Sequence, residues 1–258
     1  MGGQDRKFQE ERLREITRIL ETQNRLVVSE LSKLFKTTDV TIRKDLTLLE
    51  KEGLLKRTYG GAVKGRPLFQ GLPLDEKEKL HLDEKERIAV EALKMVHEGD
   101  VVILDSGSTT TQLARKMKEL NNVTVITNAL NIALELMQSN LEIILTGGAL
   151  RKDSSTLVGP LAEGVLGMTS ADKLFHGTDG IDYSAGATTP DIVEANTSRA
   201  MMKRAGENIL LVDSSKFGRR SLGVICEMKE IDRMITTRKM ERNEIKMLNQ
   251  MGIEVVIV

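Results

Sequence analysis

The sequence predicts an α/β protein in two parts: a small three-helix head with a basic hairpin, then a larger body on a mostly parallel sheet. Three observations predict it. Through residues 5–49, apolar side chains recur at three- and four-residue spacing, as amphipathic helices require. From residue 99 onward, continuous β-branched runs alternate with helical segments, the pattern of a parallel sheet covered on both faces. Charge, finally, divides unevenly between the two ends.

The 258 residues suit roughly two domains at ~100–200 residues each. With 40% hydrophobic and 29% charged residues, the chain can bury a sizeable core. Its 38 basic and 38 acidic residues cancel to a net charge of zero. Residues 1–66, however, hold 15 Lys/Arg against 10 Asp/Glu, a net of +5, which leaves the remainder at −5. Residues 51–66 alone carry five basic side chains against Glu52. A nucleic-acid-binding head on a differently employed body shows such asymmetry, and so does a merely solvated basic face.

The first helix is expected over residues 5–22, with Phe8, Leu13, Ile16, Ile19 and Leu20 on its apolar side. Asn24 and Arg25 end it. A short second helix over 29–35 buries Leu31, Leu34 and Phe35, and a third carries Val40, Ile42, Leu46, Leu48 and Leu49. Thr38 suits its N-cap, Asp39 the positive end of its dipole, and Gly53 its C-terminus. Residues 54–59 then read as a strand, Gly60-Gly61 as a turn and 62–64 as the returning strand.

Three helices and a basic hairpin make a winged helix-turn-helix. The third helix offers Thr41, Arg43, Lys44 and Thr47, types that pair with guanine edges, phosphates or thymine methyls. Asp45 among them is expected to face a basic neighbour or the first helix. The wing's Lys56, Arg57 and Lys64 suit a phosphate backbone. With Thr38 and Tyr59, these residues form the expected DNA-binding set. A helical dimerisation module is the plainer alternative.

Residues 65–73 hold two prolines and two glycines and read as a linker, and 75–97 as a charged helical stretch that docks through Ile88, Leu93 and Val96. The expected division is 1–64 head, 65–80 linker and 81–258 body. In the body, strands are expected at 101–104, 123–126, 142–145, 209–212 and 255–258, with helices at 109–120 and 129–137.

Ligands of open α/β sheets bind beyond the carboxyl ends of the strands. Here those ends carry small polar residues: Asp105-Ser106-Gly107-Ser108-Thr109, Thr127-Asn128, Thr146-Gly147-Gly148, Thr178-Asp179-Gly180, and Asp213-Ser214-Ser215-Lys216. Any one is ordinary turn chemistry; five together outline a pocket for a small anion rich in hydroxyls, such as a sugar phosphate. Lys216 and Arg199 are the expected cations, and Asp179, Asp182 or Glu194 the hydroxyl acceptors. Arg151 and Lys152 read as a solvated pair or as the entrance.

Much is excluded. The single Cys226 forms no internal disulfide, and His81, His97 and His176 are too far apart in sequence to suggest a metal site. No nucleotide P-loop spacing occurs, so no cofactor is expected. No apolar run nears the ~18 residues of a membrane span, and residues 1–10 lack a signal-peptide core, so the expectation is a cytoplasmic protein with no membrane partner.

The motifs Thr41-Ile42-Arg43-Lys44-Asp45-Leu46, Leu48-Leu49-Glu50-Lys51-Glu52-Gly53 and Arg57-Thr58-Tyr59-Gly60-Gly61-Ala62 resemble the head of the DeoR family of bacterial transcriptional regulators. The five body turns resemble its sensor domain, in the same order. The likeness is to members that control sugar, polyol and amino-sugar operons. It implies an oligomeric repressor, a homodimer or homotetramer, released from double-stranded operator DNA by a phosphorylated sugar. It implies, too, a body similar in fold to ribose-5-phosphate isomerase and glucosamine-6-phosphate deaminase. The resemblance assigns the effector to Asp105, Ser106, Gly107, Ser108, Thr109, Thr127, Asn128, Gly147, Gly148, Asp179, Gly180, Glu194, Arg199 and Lys216. Three residues depart from the family pattern: Lys36 where a glycine is common, His176 where an apolar residue is usual, and Arg199 where many members have lysine. The rival reading is a sugar-phosphate isomerase or deaminase, suggested by Asp179-Gly180-Ile181-Asp182. Against it stand the basic head and the lack of a histidine placed as base.

Overall fold

The computed structural model describes residues 2–23, 25–51, 54–63, 68 and 71–258. Gly53, Lys64 and most of the expected linker 65–73 lie outside the described residues, as does the Phe8 side chain.

The head contains α1 (Gly2–Gln23), β1 (Arg25–Val27), α2 (Val28–Leu34), α3 (Asp39–Lys51), β2 (Lys56–Thr58) and β3 (Gly61–Val63). Ile16, Leu20, Leu31, Ile42, Leu46, Leu49, Leu55 and Ala62 form its core. The wing gains a strand at Arg25–Val27, where only a helix break was expected, and β3 lies between β1 and β2. Two side chains expected inside are outside: Leu34 and Val40 are 60% and 62% exposed. Each lies at a helix end, where the apolar period runs past the packed turns. Asp45, fully buried, takes the Arg12 guanidinium of α1 at 2.6 Å, so the basic neighbour and the first helix are one partner. Lys36 has φ 49°, a left-handed conformation that glycine adopts without strain.

A two-residue break, Leu80 and His81, the latter in the left-handed region (φ 53°), separates α4 (Leu74–Lys79) from α5 (Leu82–Leu93). The body continues as β4 (Val101–Leu104), α6 (Ser108–Met117), β5 (Asn121–Thr127), α7 (Leu130–Leu136), β6 (Asn140–Leu145), β7 (Ala149–Arg151), β8 (Thr156–Val158), α8 (Pro160–Gly167) and β9 (Ala171–His176). After these come β10 (Gly180–Asp182), β11 (Gly186–Thr189), α9 (Ile192–Met202), β12 (Ala205–Val212), β13 (Gly223–Cys226), β14 (Arg233–Thr236), α10 (Arg242–Gln250) and β15 (Glu254–Ile257).

Seven strands pair in parallel in the order β15-β14-β12-β9-β4-β5-β6. One face is covered by α5, α6 and α7 through Ile88, Leu113, Ile132 and their neighbours. The other is covered by α8, α9, α10 and the small antiparallel sheet β10-β11-β13. The expected strands are all present. The central β9 and its near neighbour β14 were missed, because each has only a three-residue buried run. Residues 74–79, expected to be helical though counted with the linker in the expected division, form helix α4 against the body, with the Leu74 N–H donating to the Asp153 carbonyl at 2.8 Å. No helix among the described residues is long and apolar enough to cross a membrane.

His176 is fully buried at the end of β9. Neither ring nitrogen makes a hydrogen bond of ordinary geometry, and burial pulls the imidazole down to about 4, offset only in part by the Gly177 peptide. The fold therefore favours the neutral ring. Its stability is whole above the ordinary value of 6.5 and is lost as pH falls toward 4. The expected loss is about 3 kcal/mol, at about 1.4 kcal/mol per unit. His176→Leu should abolish that part of the acid sensitivity in urea unfolding between pH 7 and pH 4.5; an equal acid loss in both proteins would refute it.

Candidate functional site

Helix α3 exposes Arg43 and Lys44. Thr38 caps the helix, accepting the Thr41 N–H at 3.2 Å, and the two hydroxyls lie 3.0 Å apart. The Thr47 hydroxyl donates to the Arg43 carbonyl at 2.7 Å and accepts from Arg57 Nη1 at 2.9 Å. The Arg57 N–H in turn donates to Glu50 at 2.7 Å. Wing and α3 are thus tied before any ligand arrives, and the wing presents Lys56, Arg57 and Tyr59 to solvent. Arg43, Lys44, Thr47, Leu48, Val40 and Lys51 line one shallow concavity. Val40 and Lys51 were missed, Val40 because its apolar character placed it in the core; such a side chain suits a thymine methyl.

The second site lies where β4, β9 and β12 end. Its walls include Asp105, Ser106, Gly107, Ser108, Thr109, Asp179, Glu194 and Lys216, all expected there. They also include Thr178 and Asp213, which lay in the expected polar turns, and Lys77, Ser154, Thr189 and Ser198, which the expected set lacked. Gly107, with φ 141°, lets β4 turn into α6 so that the N–H groups of the first helical turn, which have no intrahelical acceptor, face the cavity. These N–H groups and the Ser108 and Thr109 hydroxyls have the chemistry that suits an anion.

The carboxylates differ. Asp105 is pushed up to about 6 by burial, while the Ser198 hydroxyl at 2.7 Å and the Ser106 N–H, also at 2.7 Å, counter it. Asp179 accepts Lys77 at 2.6 Å. Burial raises its carboxyl, but Lys77 and Lys216 more than reverse this and hold it below the ordinary range. Glu194 accepts Arg151 at 3.1 Å and the Ser154 hydroxyl at 2.5 Å, so Arg151 is paired rather than solvated. Asp213 accepts the Ser215 N–H at 2.9 Å, and its buried Oδ2 has no hydrogen-bond donor among the described residues. Burial lowers the Lys216 ammonium, with Asp213 and Asp179 pulling the other way.

Seven expected residues do not line this cavity. Arg199 is exposed on the outer face of α9 and bonds Asn196, because one residue past Ser198 is rotated by about 100°. Thr127 donates to the Leu104 carbonyl at 2.7 Å and Asn128 accepts the Leu157 N–H through its carbonyl, so both brace the turn after β5. Gly147 and Gly148, with φ 68° and 121°, lie in the turn from β6 into β7, where a Cβ on Gly148 would lie 2.7 Å from the Val158 carbonyl oxygen. Gly180 packs so closely that a Cβ there would lie 2.6 Å from the Arg219 carbonyl. Asp182 accepts from Ser184 at 2.9 Å within its own turn.

One cluster has the composition of a metal site: His81, Glu84 and Asp213 bring ligating atoms within 4.8 Å of one another. Glu84, however, already accepts Arg14, His81, Ser214 and Thr237, so the cluster is a hydrogen-bonded junction.

Known proteins place both sites in one family. Residues 12–65 match the DeoR-like helix-turn-helix domain, and residues 80–238 the DeoR C-terminal sensor domain. The chain is 36% identical over 246 residues to the HTH-type transcriptional regulator GlpR of Haloferax volcanii, covering 95% of this chain and 96% of that one. It is 36% identical to a putative aga operon transcriptional repressor of Escherichia coli O157:H7, covering 96% and 93%. With the lactose phosphotransferase system repressor of Streptococcus mutans it shares 34% identity, covering 88% and 91%. Ribose 5-phosphate isomerase of Methanocaldococcus jannaschii overlays at TM-score 0.40 and 22% identity, over 53% of this chain and 54% of that one, too low to speak for function. The chain is a DNA-binding transcriptional regulator of the DeoR family.

Proposed function

We propose that this regulator represses a carbohydrate operon and that a phosphorylated sugar, bound beyond β4, β9 and β12, changes its affinity for DNA. The observation that carries this reading is the convergence of the Ser106–Thr109 turn with Lys77 and Lys216 in one cavity whose other walls include the carboxylates of Asp105, Asp179, Glu194 and Asp213. The turn and the two ammonium groups suit a phosphate; Asp179, Asp105 and Glu194 suit sugar hydroxyls. Relatives named as aga-operon and lactose-system repressors support the ligand class.

The isomerase reading needs a carboxylate free to take a proton near neutrality. Asp179 is held by Lys77 below the ordinary range, and both oxygens of Asp105, the nearest to neutrality, accept hydrogen bonds. A homodimer reading paired half-sites completes the proposal, since one α3 offers too little surface for operator affinity.

A thermal-shift screen tests it. Ribose 5-phosphate, glucose 6-phosphate and glucosamine 6-phosphate are compared with their unphosphorylated sugars. A ligand at a hundred times its Kd stabilises the native state by about 2.7 kcal/mol. A shift from phosphorylated sugars alone is expected; none from any of them, or equal shifts from free sugars, would refute the reading. Sedimentation showing only monomer at working concentration would refute the dimer.

A further inference from the structure

The cavity beyond β4, β9 and β12 measures about 60 Å³, room for a few water molecules and less than a phosphorylated sugar. A ligand of that class fills this space and is expected to press on its walls. Two walls belong to segments that are linked to the head through Glu84. Leu74 and Lys77 lie on α4, in the connection between head and body. Asp213 and Lys216 flank Ser214, on the turn after β12.

Both segments meet at Glu84, a buried carboxylate on α5. It accepts the Ser214 N–H at 3.0 Å, the Thr237 hydroxyl, and His81 Nδ1 at 3.0 Å from the α4–α5 break. Its fourth donor comes from the head: Arg14 Nη2 of α1, at 3.2 Å. The Lys85 ammonium, 1% exposed, donates to the Lys77 and Leu80 carbonyls and so fixes the end of α4 to α5. Around this tie, head and body are not close-packed. A cavity of about 760 Å³ separates Leu13, Leu48 and Leu54 from Ile181, Tyr183 and Phe217. The head is therefore able to shift against the body, and Arg14–Glu84 is a point where that shift is opposed.

We infer that Glu84 is the coupling residue of this regulator: movement of the Asp213–Lys216 turn on ligand entry shifts Glu84, which changes its hold on Arg14 and so the placement of the head. The inference rests on the phosphorylated-sugar reading of the cavity. It requires that Arg14 touch neither ligand nor DNA yet alter the response of one to the other, because coupling is a property of the two equilibria together.

The test uses the full-length protein, a duplex enriched by in vitro selection on the wild type, and whichever of ribose 5-phosphate, glucose 6-phosphate and glucosamine 6-phosphate gives the largest thermal shift. The quantity read is the ratio of DNA Kd values with and without that sugar phosphate, roughly 5- to 150-fold in a coupled system. Arg14→Gln, at a side chain 64% exposed, should fold normally and keep each separate affinity within about threefold. Its ratio should fall at least about threefold below wild type, toward no response. Arg14→Lys should recover part of the ratio, and Glu84→Gln should reproduce the loss. An unchanged ratio in Arg14→Gln, with a normal thermal shift, overturns the coupling role and leaves the ligand reading standing. Absence of any thermal shift in the wild type overturns the ligand reading and the coupling with it.

Discussion

Replacing Arg43 and Lys44 together by alanine lowers operator affinity roughly a hundredfold or more while sugar-phosphate binding stays at the wild-type level. Each side chain is exposed on α3, the first at the fifth helical position and the second beside it, where recognition helices meet base edges. A good base contact is worth about 1–3 kcal/mol, so two contacts cost at least a factor of about 30, and a dimer loses them twice. A side chain that met only phosphate would weaken all sequences alike and reduce the salt slope by about one. Gel-shift titrations at two salt concentrations separate these roles. Both residues lie outside the head's apolar core, so the melting temperature should not move. Operator affinity within threefold of wild type would show that α3 does not read DNA. A simultaneous loss of sugar-phosphate binding would point to misfolding.

The second large effect is expected in the body. Lys216→Ala should cost about 1.5–3 kcal/mol of sugar-phosphate binding, the worth of a hydrogen bond to a charged group, and so leave the repressor on its operator at inducing concentrations. Lys77→Met should do the same, with an added cost in stability. It leaves Asp179, with a side chain 10% exposed, without its 2.6 Å partner. Breaking such a pair costs more than the pair is worth, because one charge stays buried and uncompensated. The double variant Lys77→Met/Asp179→Asn separates the two effects: stability should return, and ligand affinity should not. Calorimetry at constant pH reads both. Normal release by Lys216→Ala, or full affinity in the double variant, would remove the corresponding lysine from the site.

The head was largely legible because its signals are local. Ile16, Leu20, Ile42, Leu46 and Leu49 recur at helical spacing and are all buried. Helix period, cap and basic wing are each readable within a few residues of chain. The exceptions, Leu34 and Val40, show the limit of the same signal: apolar periodicity says which face a residue is on, not where packing stops. In the body, strands such as Val101–Leu104 stood out as unbroken apolar runs, and turns such as 105–109 as polar breaks after them. Strand β9 did not, because its buried part is three residues long.

Lys77 could not have been found that way. It lies in a stretch whose composition reads as solvated helix, and nothing local distinguishes it from Lys79, which is exposed and pairs within its own turn with Asp75. Arg199 shows the converse: a cation at a plausible distance in sequence, turned outward by one step of α9.

By itself the sequence determined the two-part architecture, the exposed basic helix with its wing, and the polar turns at the strand ends, because helix period, buried runs and glycine turns are set by neighbours in the chain. The tertiary structure alone decided which turns share a cavity, which lysines face it, and that Glu84 joins the Ser214 turn to Arg14, residues 130 and 70 positions away along the chain. Those are contacts between distant segments, fixed by how the parallel sheet brings its strand ends together, and no local pattern encodes them.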